Sequence, residues 1–227
     1  MGNIVQSVSS ILTRANRAAE GAAQNITNIS TPGYRARTRF EGVYDLAERP
    51  QAMALDPSPG RLLQTGSTFD VAISGDGFFE LGGADGPLYT RNGQFSRDAE
   101  SRLIGLGGRP VQSTDGSDIL VPEGDVTIDS EGVVMLMGEP IARLAVVLAD
   151  GAPASGPDGL LSFPPEQISP MDTPVVRQGF LESSNVSLGD EMVTLMESIR
   201  RAETGQRLMN IYDDLLGRVA TTLGQSS

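Results

Sequence analysis

The residues of this chain most able to do chemistry are carboxylates set beside glycines. Two stretches, "SGDGFF" at 74–79 and "GADGP" at 83–87, invite comparison with a calcium loop or with the acid pair of a sugar hydrolase. A helix-loop-helix calcium site needs a fixed ladder of Asp or Asn that ends in Glu, and neither stretch has one. A glycosidase needs two carboxylates at a defined separation, and nothing nominates a pair among the 29 acidic residues. Asp-Gly pairs are typical of tight turns, so we predict that Asp76 and Asp85 lie in hairpin turns.

The rest of the composition removes most other catalytic chemistry. The 227 residues include no histidine and no cysteine, which excludes Ser-His and Cys-His nucleophile pairs, thiolate zinc sites and disulfides. The segment "GLGGRP" at 105–110 lacks the Lys-Ser/Thr of a phosphate-binding loop. We therefore expect no enzyme activity, no cofactor and no metal.

Charge and hydropathy restrict the partners. The net charge of −12 argues against nucleic acid and against anionic membrane surfaces, because both attract basic clusters. No stretch approaches the about 20 apolar residues of a membrane span. The first residues carry no basic leader and no continuous apolar run, so we expect no cleaved secretory signal.

An Ala-rich segment with helical periodicity lies at the start of the sequence. Apolar residues recur in alternating steps of four and three, which predicts an amphipathic helix with one apolar seam. A second row, Val5, Leu12, Ala19 and Ile26, widens the stripe. The polar stretch "NITNISTPGYRAR" at 25–37 then ends the helix. The seam consists of Ile4, Val8, Ile11, Ala15, Ala18, Ala22, Asn25 and Ile29.

The other end of the chain shows the same spacing. Ser187 is a plausible N-cap, with Asp190 in the capping-box position, and predicts a helix from Leu188 to about residue 222. Its seam is interrupted by Gln206 and Asp213. It consists of Leu188, Met192, Leu195, Ile199, Ala202, Met209, Leu216 and Ala220.

The two seams can pair with each other. Alanine-rich seams bury little apolar area, but their small residues permit close approach of helices. We expect helices that are weakly ordered alone and become buried in an assembly, although a seam lying on the core of its own domain is the commoner arrangement.

The middle of the chain has a different pattern. Short alternating segments such as "FDVAISGDGFFEL" at 69–81 are separated by Asp-Gly, Asn-Gly, Gly-Gly and Glu-Gly, which predicts antiparallel strands. The fold class is therefore α+β, in which long terminal helices pair as a coiled-coil-like stalk beside a central all-β domain. We predict core helices at 1–34 and 187–227, extended collar segments at 35–65 and 170–186, and the β domain at 66–169.

Three motifs resemble those of the bacterial flagellar rod and hook family. The stretch "AAQNITNISTPGYR" at 22–35 is similar to the family's Ala-Asn-Asn-Leu-Ala-Asn-Val-x-Thr-x-Gly-aromatic signature, from which it departs at Gln24 and Thr27. The stretch "QGFLESSNVSLGDEMVTLMESIRRAE" at 178–203 is similar to the C-terminal signature, with Ala202 in place of an aromatic and Gly205 in place of Asn. Segments 69–81, 88–104 and 108–111 resemble the β domain of axial rod proteins. The matching terminal positions are Ala23, Asn25, Ile26, Asn28, Ile29, Thr31, Gly33, Tyr34, Gln178, Gly179, Leu181, Glu182, Ser184, Asn185, Val186, Glu191, Met192, Arg200 and Glu203.

The resemblance implies a structural subunit of the flagellar rod. Hook proteins are longer, and the smallest rod subunits largely lack the β domain. In this family the terminal helices form an inner tube, the β domain lies outside it, and subunits reach the periplasm through flagellar type III export without a cleaved signal. The implied partners are other copies of the chain, other rod and hook subunits, and basal-body ring and export-gate proteins. Asn28, Gly33 and Tyr34 join the assembly residues, and the arginines at 35, 37 and 39 are expected to meet acidic neighbouring subunits.

Two other classes of protein fit parts of the pattern. One is a secreted glycan-acting enzyme in which the terminal helices only flank the β domain. That class requires a stable monomer with an acidic cleft. The other is an adhesin or binding module, in which the β domain binds and the helices serve as oligomerisation tags. Both differ from the rod hypothesis in what the terminal helices do.

Overall fold

The chain divides into a helical unit and a β unit. A computed structural model describes residues 2–38, 54–83, 86–151, 153–156 and 159–224. Residues 1–27 and 187–227 form the helical unit, and residues 28–186 form the β unit. The fold class is α+β.

Two long helices make up the helical unit. Helix α1 spans Gly2–Thr27 and helix α2 spans Leu188–Gly224. The first hydrogen bond of α2 joins the Glu191 amide to the Ser187 carbonyl at 3.0 Å. Asp190 and Glu191 lie in its first turn, where the helix dipole favours negative charge. In the part of the chain that the structure describes, neither helix is apolar enough over a sufficient length to cross a bilayer.

The β unit consists of short strands. Pairing between all the described strands is antiparallel, as the turn-rich sequence predicts. The described strands are β1 (Arg37–Thr38), β2 (Ala54–Leu55), β3 (Leu62–Gln64), β4 (Val71–Ile73), β5 (Phe78–Leu81), β6 (Leu88–Thr90), β7 (Ser96–Arg97), β8 (Leu103–Ile104), β9 (Val126–Ile128), β10 (Val133–Leu136), β11 (Glu139–Arg143), β12 (Val146–Ala149), β13 (Ala154–Ser155), β14 (Leu161–Ser162), β15 (Ile168–Pro170), β16 (Val176–Gln178) and β17 (Phe180–Glu182).

These strands form two larger sheets and four two-stranded pairs. The six-stranded sheet has the order β13-β14-β6-β5-β12-β15, and the three-stranded sheet has the order β11-β10-β9. The pairs are β1-β2, β3-β17, β4-β16 and β7-β8. Because β16 and β17 pair with strands more than a hundred residues earlier, the return of the chain closes the unit.

The main core lies among these sheets. Its centre is aliphatic, with Val71 and Leu81 fully buried, and the aromatic pair Phe79–Phe95 packs edge to face at 5.1 Å between ring centroids. A smaller cluster holds Tyr89 and Phe163. The alternation seen in 69–81 thus places its inward residues in the core, as expected for strands.

Two sequence expectations for this unit need correction. The Gly75-Asp76-Gly77 turn joins β4 to β5, but these strands belong to different sheets, so Asp76 does not lie in a hairpin turn. Asp85 falls outside the described residues. The domain is also not purely β, since short 3-10 helices occur at Leu106–Gly108 and Pro165–Gln167. The Glu131-Gly132 turn does form a hairpin, between β9 and β10.

Candidate assembly interface

The terminal helices contact each other in antiparallel orientation. Near one end of the contact, the Asn25 amide donates a 2.7 Å hydrogen bond to the Glu191 carboxylate. Farther along, Leu12 packs on Gly205 so closely that an added Cβ at Gly205 would lie 2.7 Å from Leu12 Cδ2. Residue numbers rise in α1 as they fall in α2, which defines the direction of the pair.

A row of mostly small or polar residues, with Leu195 and Met209 among them, forms the covered face of α2. Ser198 is 4% exposed and Gly205 is buried, and the residues of the row recur in steps of four and three. We call this row the α2 seam, and it consists of Glu191, Leu195, Ser198, Ala202, Gly205, Met209 and Tyr212, all buried or partly buried.

The α2 seam differs from the seam predicted from the sequence. Leu195, Ala202 and Met209 belong to both, but Leu188, Met192 and Ile199 are 42%, 47% and 49% exposed. The side chain of Leu216 falls outside the described set. Glu191 and Ser198 take the covered positions predicted for Met192 and Ile199. Farther along, Gly205 is the point where Leu12 of α1 approaches α2 closely.

The residues predicted for α1 also divide into covered and uncovered positions. Val8, Ala15, Ala22 and Asn25 are buried and Ala18 is partly buried, whereas Ile11 is 41% exposed. Nothing is described for the Ile4 side chain. Asn28, Ile29, Gly33 and Tyr34 belong to the β unit, where each is partly buried.

A large apolar surface remains on α2 outside the seam. Among the described residues, nothing covers these side chains sufficiently to exclude water, and each is at least 42% exposed. They are Leu188, Met192, Val193, Met196, Ile199, Leu208, Ile211 and Leu215. Exposed apolar side chains in this number on one helix are typical of a protein–protein contact surface.

Within the β unit, a buried ionic cluster joins the two predicted collar segments to Arg91. Glu182 is 2% exposed. Its Oε2 accepts a hydrogen bond from Arg91 Nε at 2.8 Å and forms an ion pair with Arg91 Nη2 at 2.6 Å. Its Oε1 accepts the Gly60 amide at 2.9 Å and pairs with Arg35 at 3.1 Å. Burial lowers the pKa of the Arg35 guanidinium from its ordinary value, and the Glu182 charge opposes that shift. We call Arg35, Arg91 and Glu182 the Glu182 cluster.

Two glycines allow the backbones to approach at this point. Gly33 has φ +67°, and its amide donates to the Glu182 carbonyl at 2.7 Å. An added Cβ there would lie 2.3 Å from the Arg91 carbonyl carbon. At Gly60 an added Cβ would lie 1.8 Å from the Ser183 oxygen, so any side chain at either position would displace backbone.

Asn185 joins three segments through one side chain. Its Oδ1 accepts the Ala36 amide at 2.6 Å, and its Nδ2 donates to the Ser58 carbonyl at 2.8 Å. The backbone amide of Asn185 donates to the Tyr34 carbonyl at 3.3 Å. The Gly33-Tyr34 and Glu182–Asn185 portions of the two sequence motifs therefore meet in the β unit.

Gln178 completes the unpaired edge of β9. Its Oε1 accepts the Ile128 amide at 3.1 Å, and its Nε2 donates to the Val126 carbonyl at 3.1 Å. The same Nε2 reaches the Thr68 carbonyl at 2.9 Å. One amide side chain thus replaces a neighbouring strand, as the backbone groups of a sheet edge require.

No catalytic or metal-binding arrangement emerges among the described residues. In that part of the chain, no three Asp or Glu side chains group closely enough to hold a metal ion. The strongest constellation of charge, the Glu182 cluster, is fully engaged in structural contacts.

Comparison with known proteins agrees with this geometry. Residues 72–136 match the family model described as the flagellar hook protein FlgE/F/G D1 domain, and residues 177–223 match the flagellar basal body rod FlgEFG protein C-terminal model. The chain is 32% identical to the flagellar basal-body rod protein FlgF of Escherichia coli K12 over 90% of this chain and 91% of that protein. It is 30% identical to FlgF of Rhizobium meliloti, over 90% of each chain. The chain belongs to the flagellar basal-body rod family.

Rod proteins with two different names resemble this chain to similar degrees. The flagellar basal-body rod protein FlgG of Agrobacterium fabrum is 30% identical over 90% of this chain and 93% of that protein. The chain is thus a structural subunit of the flagellar basal-body rod. The C-terminal rod match begins within β16 and includes the Glu182 side of the cluster and nearly all of α2.

Several residues of this rod protein's site are not evident from its sequence. Arg91 follows β6 before an Asn-Gly turn, where arginines are ordinarily solvated, yet its side chain is 1% exposed. Arg35, expected to meet a neighbouring subunit, instead pairs with Glu182 of its own chain. Arg39 lies outside the described residues. Gly205 departs from the family pattern, and its close contact with Leu12 gives it a packing role.

Proposed function

We propose that this rod subunit occupies the proximal rod and assembles there through its terminal helices. The observation that carries the proposal is the exposed apolar surface of α2, which remains after α1 has covered the α2 seam. Burial of such surface contributes about 25 cal/mol per Å², so stacking of subunits has a substantial driving force. The helices pair as a coiled-coil-like stalk, because the α2 seam repeats every seven residues.

The predicted assembly residues serve this function in two ways. Val8, Ala15, Ala22, Leu195 and Ala202 hold the helix pair together. The exposed members, among them Ile11, Leu188, Met192 and Ile199, contact neighbouring subunits. The division into core helices, collar segments and β domain supplies a tube wall, a connection and an outer domain.

The remaining parts of the proposal concern location and partners. The subunit reaches the periplasm by flagellar type III export without a cleaved signal peptide, and the β domain faces basal-body ring proteins. Export-gate proteins contact it in transit. It is not an enzyme, since the carboxylate with the most elaborate environment, Glu182, is bound by two arginines and is 2% exposed.

The alternative position is the distal rod. Imaging of basal bodies that carry a tagged copy of the chain separates the two positions. Density at the membrane-proximal end supports our assignment, and density next to the hook supports the alternative.

Deletion of residues 1–30 tests the assembly function. In cells that lack the chain, the truncated form is expected to keep a folded β unit, to stay out of basal bodies and to leave cells without filaments. Full-length protein supplied from the same plasmid is the control. Filaments and motility restored by the truncated form would refute the proposal, and so would an undiminished rod in cells that lack the chain.

A further inference from the structure

The exposed apolar residues of α2 do not form one continuous stripe. The α2 seam fixes the direction that faces α1, and in a seven-residue repeat the positions next to a seam lie on two opposite flanks of the helix. Each flank can be followed along α2 from the sequence positions and the exposure of its side chains.

The first flank is apolar only in the N-terminal half of α2. It carries Met192, Met196 and Ile199, which are 47%, 61% and 49% exposed. Farther along, the same flank carries Glu203, Gln206 and Asn210, all exposed polar residues. We call Met192, Met196 and Ile199 the first stripe.

The second flank has the opposite arrangement. In the N-terminal half it carries exposed polar residues, which are Asp190, Thr194, Glu197, Arg201 and Thr204. Beyond them it carries Leu208, Ile211 and Leu215, which are 45%, 58% and 54% exposed. We call these three apolar residues the second stripe.

We propose that the first stripe of one copy binds the second stripe of another copy of this chain. This inference rests on the proposed function and specifies its contact. The two stripes differ in side of the helix and in height along it, so a contact between unlike stripes leaves one free stripe at each end. Such a heterologous contact continues into an open assembly and does not close as a twofold dimer.

Charge supports the pairing of unlike stripes of the same chain. From 188 to 199, α2 carries Asp190, Glu191 and Glu197 and no arginine. From 200 to 218 it carries Arg200, Arg201, Arg207 and Arg218 against three acidic residues. Two first stripes in contact would bring two acidic halves together, whereas unlike halves have opposite net charge. Ion pairs within the helix, Arg201–Glu197 and Arg218–Asp214, are exposed and leave this difference in net charge intact.

Paired variants of the full chain test the direction of the contact. One variant carries Met192→Gln and Ile199→Gln, and the other carries Leu208→Gln and Leu215→Gln. Glutamine retains good helix propensity, and circular dichroism checks that each variant keeps its helices. Wild type is expected to grow in mass with concentration in analytical ultracentrifugation, while each variant alone stays at 23.9 kDa. An equimolar mixture is expected to form a species of twice that mass and nothing larger, because each variant retains one intact stripe.

A matched control lies on the same helix. Val193 is 57% exposed and belongs to neither stripe, so Val193→Gln removes exposed apolar surface outside both stripes and is expected to assemble as wild type does. Dimers formed by either double variant alone would overturn the proposal in favour of contact between like stripes. A mixture that stays at monomer mass, or a wild type that stays monomeric at every concentration, would also overturn it.

Thiol cross-linking gives a second measurement if a glutamine variant loses helicity. The chain has no cysteine, so Met196→Cys on one copy and Ile211→Cys on another introduce unique thiols. Mild oxidation is expected to give several-fold more disulfide dimer in the mixture than in either variant alone, and equal yields would count against unlike pairing. Loss of filaments in cells tests the proposed function independently of both experiments.

Discussion

The buried Glu182 cluster provides the sharpest test of how this rod subunit holds its β unit together. Glu182→Gln preserves the size of the side chain and leaves an amide oxygen for the Gly60 amide and Arg35. It replaces the oxygen that Arg91 contacts at 2.8 Å and 2.6 Å by an NH₂ donor. The guanidinium of Arg91, with its side chain 1% exposed, then faces a donor where it had an anionic acceptor.

The expected loss of stability is large. Removing one partner of a buried ion pair costs about 3–5 kcal/mol, because the remaining charge stays buried without compensation. With a urea m value of about 2 kcal/mol/M, the unfolding midpoint of the β unit shifts down by about 1.5–2.5 M. Arg91 keeps its bonds to the Gly77 and Gly75 carbonyls at 2.6 Å and 2.8 Å, which favours the lower end of this range.

Urea unfolding followed by near-ultraviolet circular dichroism measures this shift. The chain has no tryptophan, so the signal comes from tyrosine and phenylalanine, which include the buried Phe79, Tyr89 and Phe95 of the β unit. The matched control is Glu131→Gln, whose exposed pair with Arg143 at 3.1 Å should be worth less than about 1 kcal/mol. Equal shifts for the two variants would refute the assignment of a structural role to the Glu182 cluster.

Three further predictions address the helix pair and two titrating groups. Gly21→Ala should stabilise the helical unit against heating by about 1 kcal/mol through helix propensity, because an added Cβ meets no atom within 4 Å. Gly205→Leu should destabilise the same unit, because the new side chain displaces Leu12, and equal melting curves for the two variants would contradict the close contact. Hydrogen bonds from the Ser58 hydroxyl and amide lower the pKa of Asp56. Ser58→Ala removes the hydroxyl bond from this largely solvated carboxylate, so it should reduce the free energy of unfolding at neutral pH by only about 0.5 kcal/mol. The difference should fade as pH falls below about 4, and a pH-independent difference would exclude this linkage. Burial, and then the charge of Glu80, raises the pKa of Tyr89 to about 12. The difference in phenolate absorbance between wild type and Tyr89→Phe should therefore appear well above the ordinary tyrosine range, and an ordinary titration would show that Tyr89 is solvated.

The sequence by itself determined the elements and the chemical character of this protein. The cap at Ser187 and the period of the apolar residues predict a helix from Leu188, where α2 begins. Alternation in 69–81 predicts short antiparallel strands, and β4 and β5 lie in that segment. These are local properties, set by propensity and by periodicity along one segment.

Strand pairing depended on the tertiary structure. A Gly-Asp-Gly turn indicates a reversal of the chain but not the partner of each strand, and β4 pairs with β16, which lies about a hundred residues away. The role of Glu182 depended on the same closure, since its carboxylate meets Arg35 and Arg91 only when three distant segments come together. Nothing in the neighbouring residues of a charged side chain reveals whether it will be buried.

The choice of the covered face of α2 was also made only in the tertiary structure. Two adjacent rows of the helix fit the same seven-residue period, one containing Met192 and Ile199 and the other containing Ser198 and Gly205. Periodicity of apolar residues favours the first row, because large side chains bury more area. The helix pair uses the second row, because Leu12 can approach α2 closely only where the opposing residue has no side chain, and this contact leaves the large apolar residues outside.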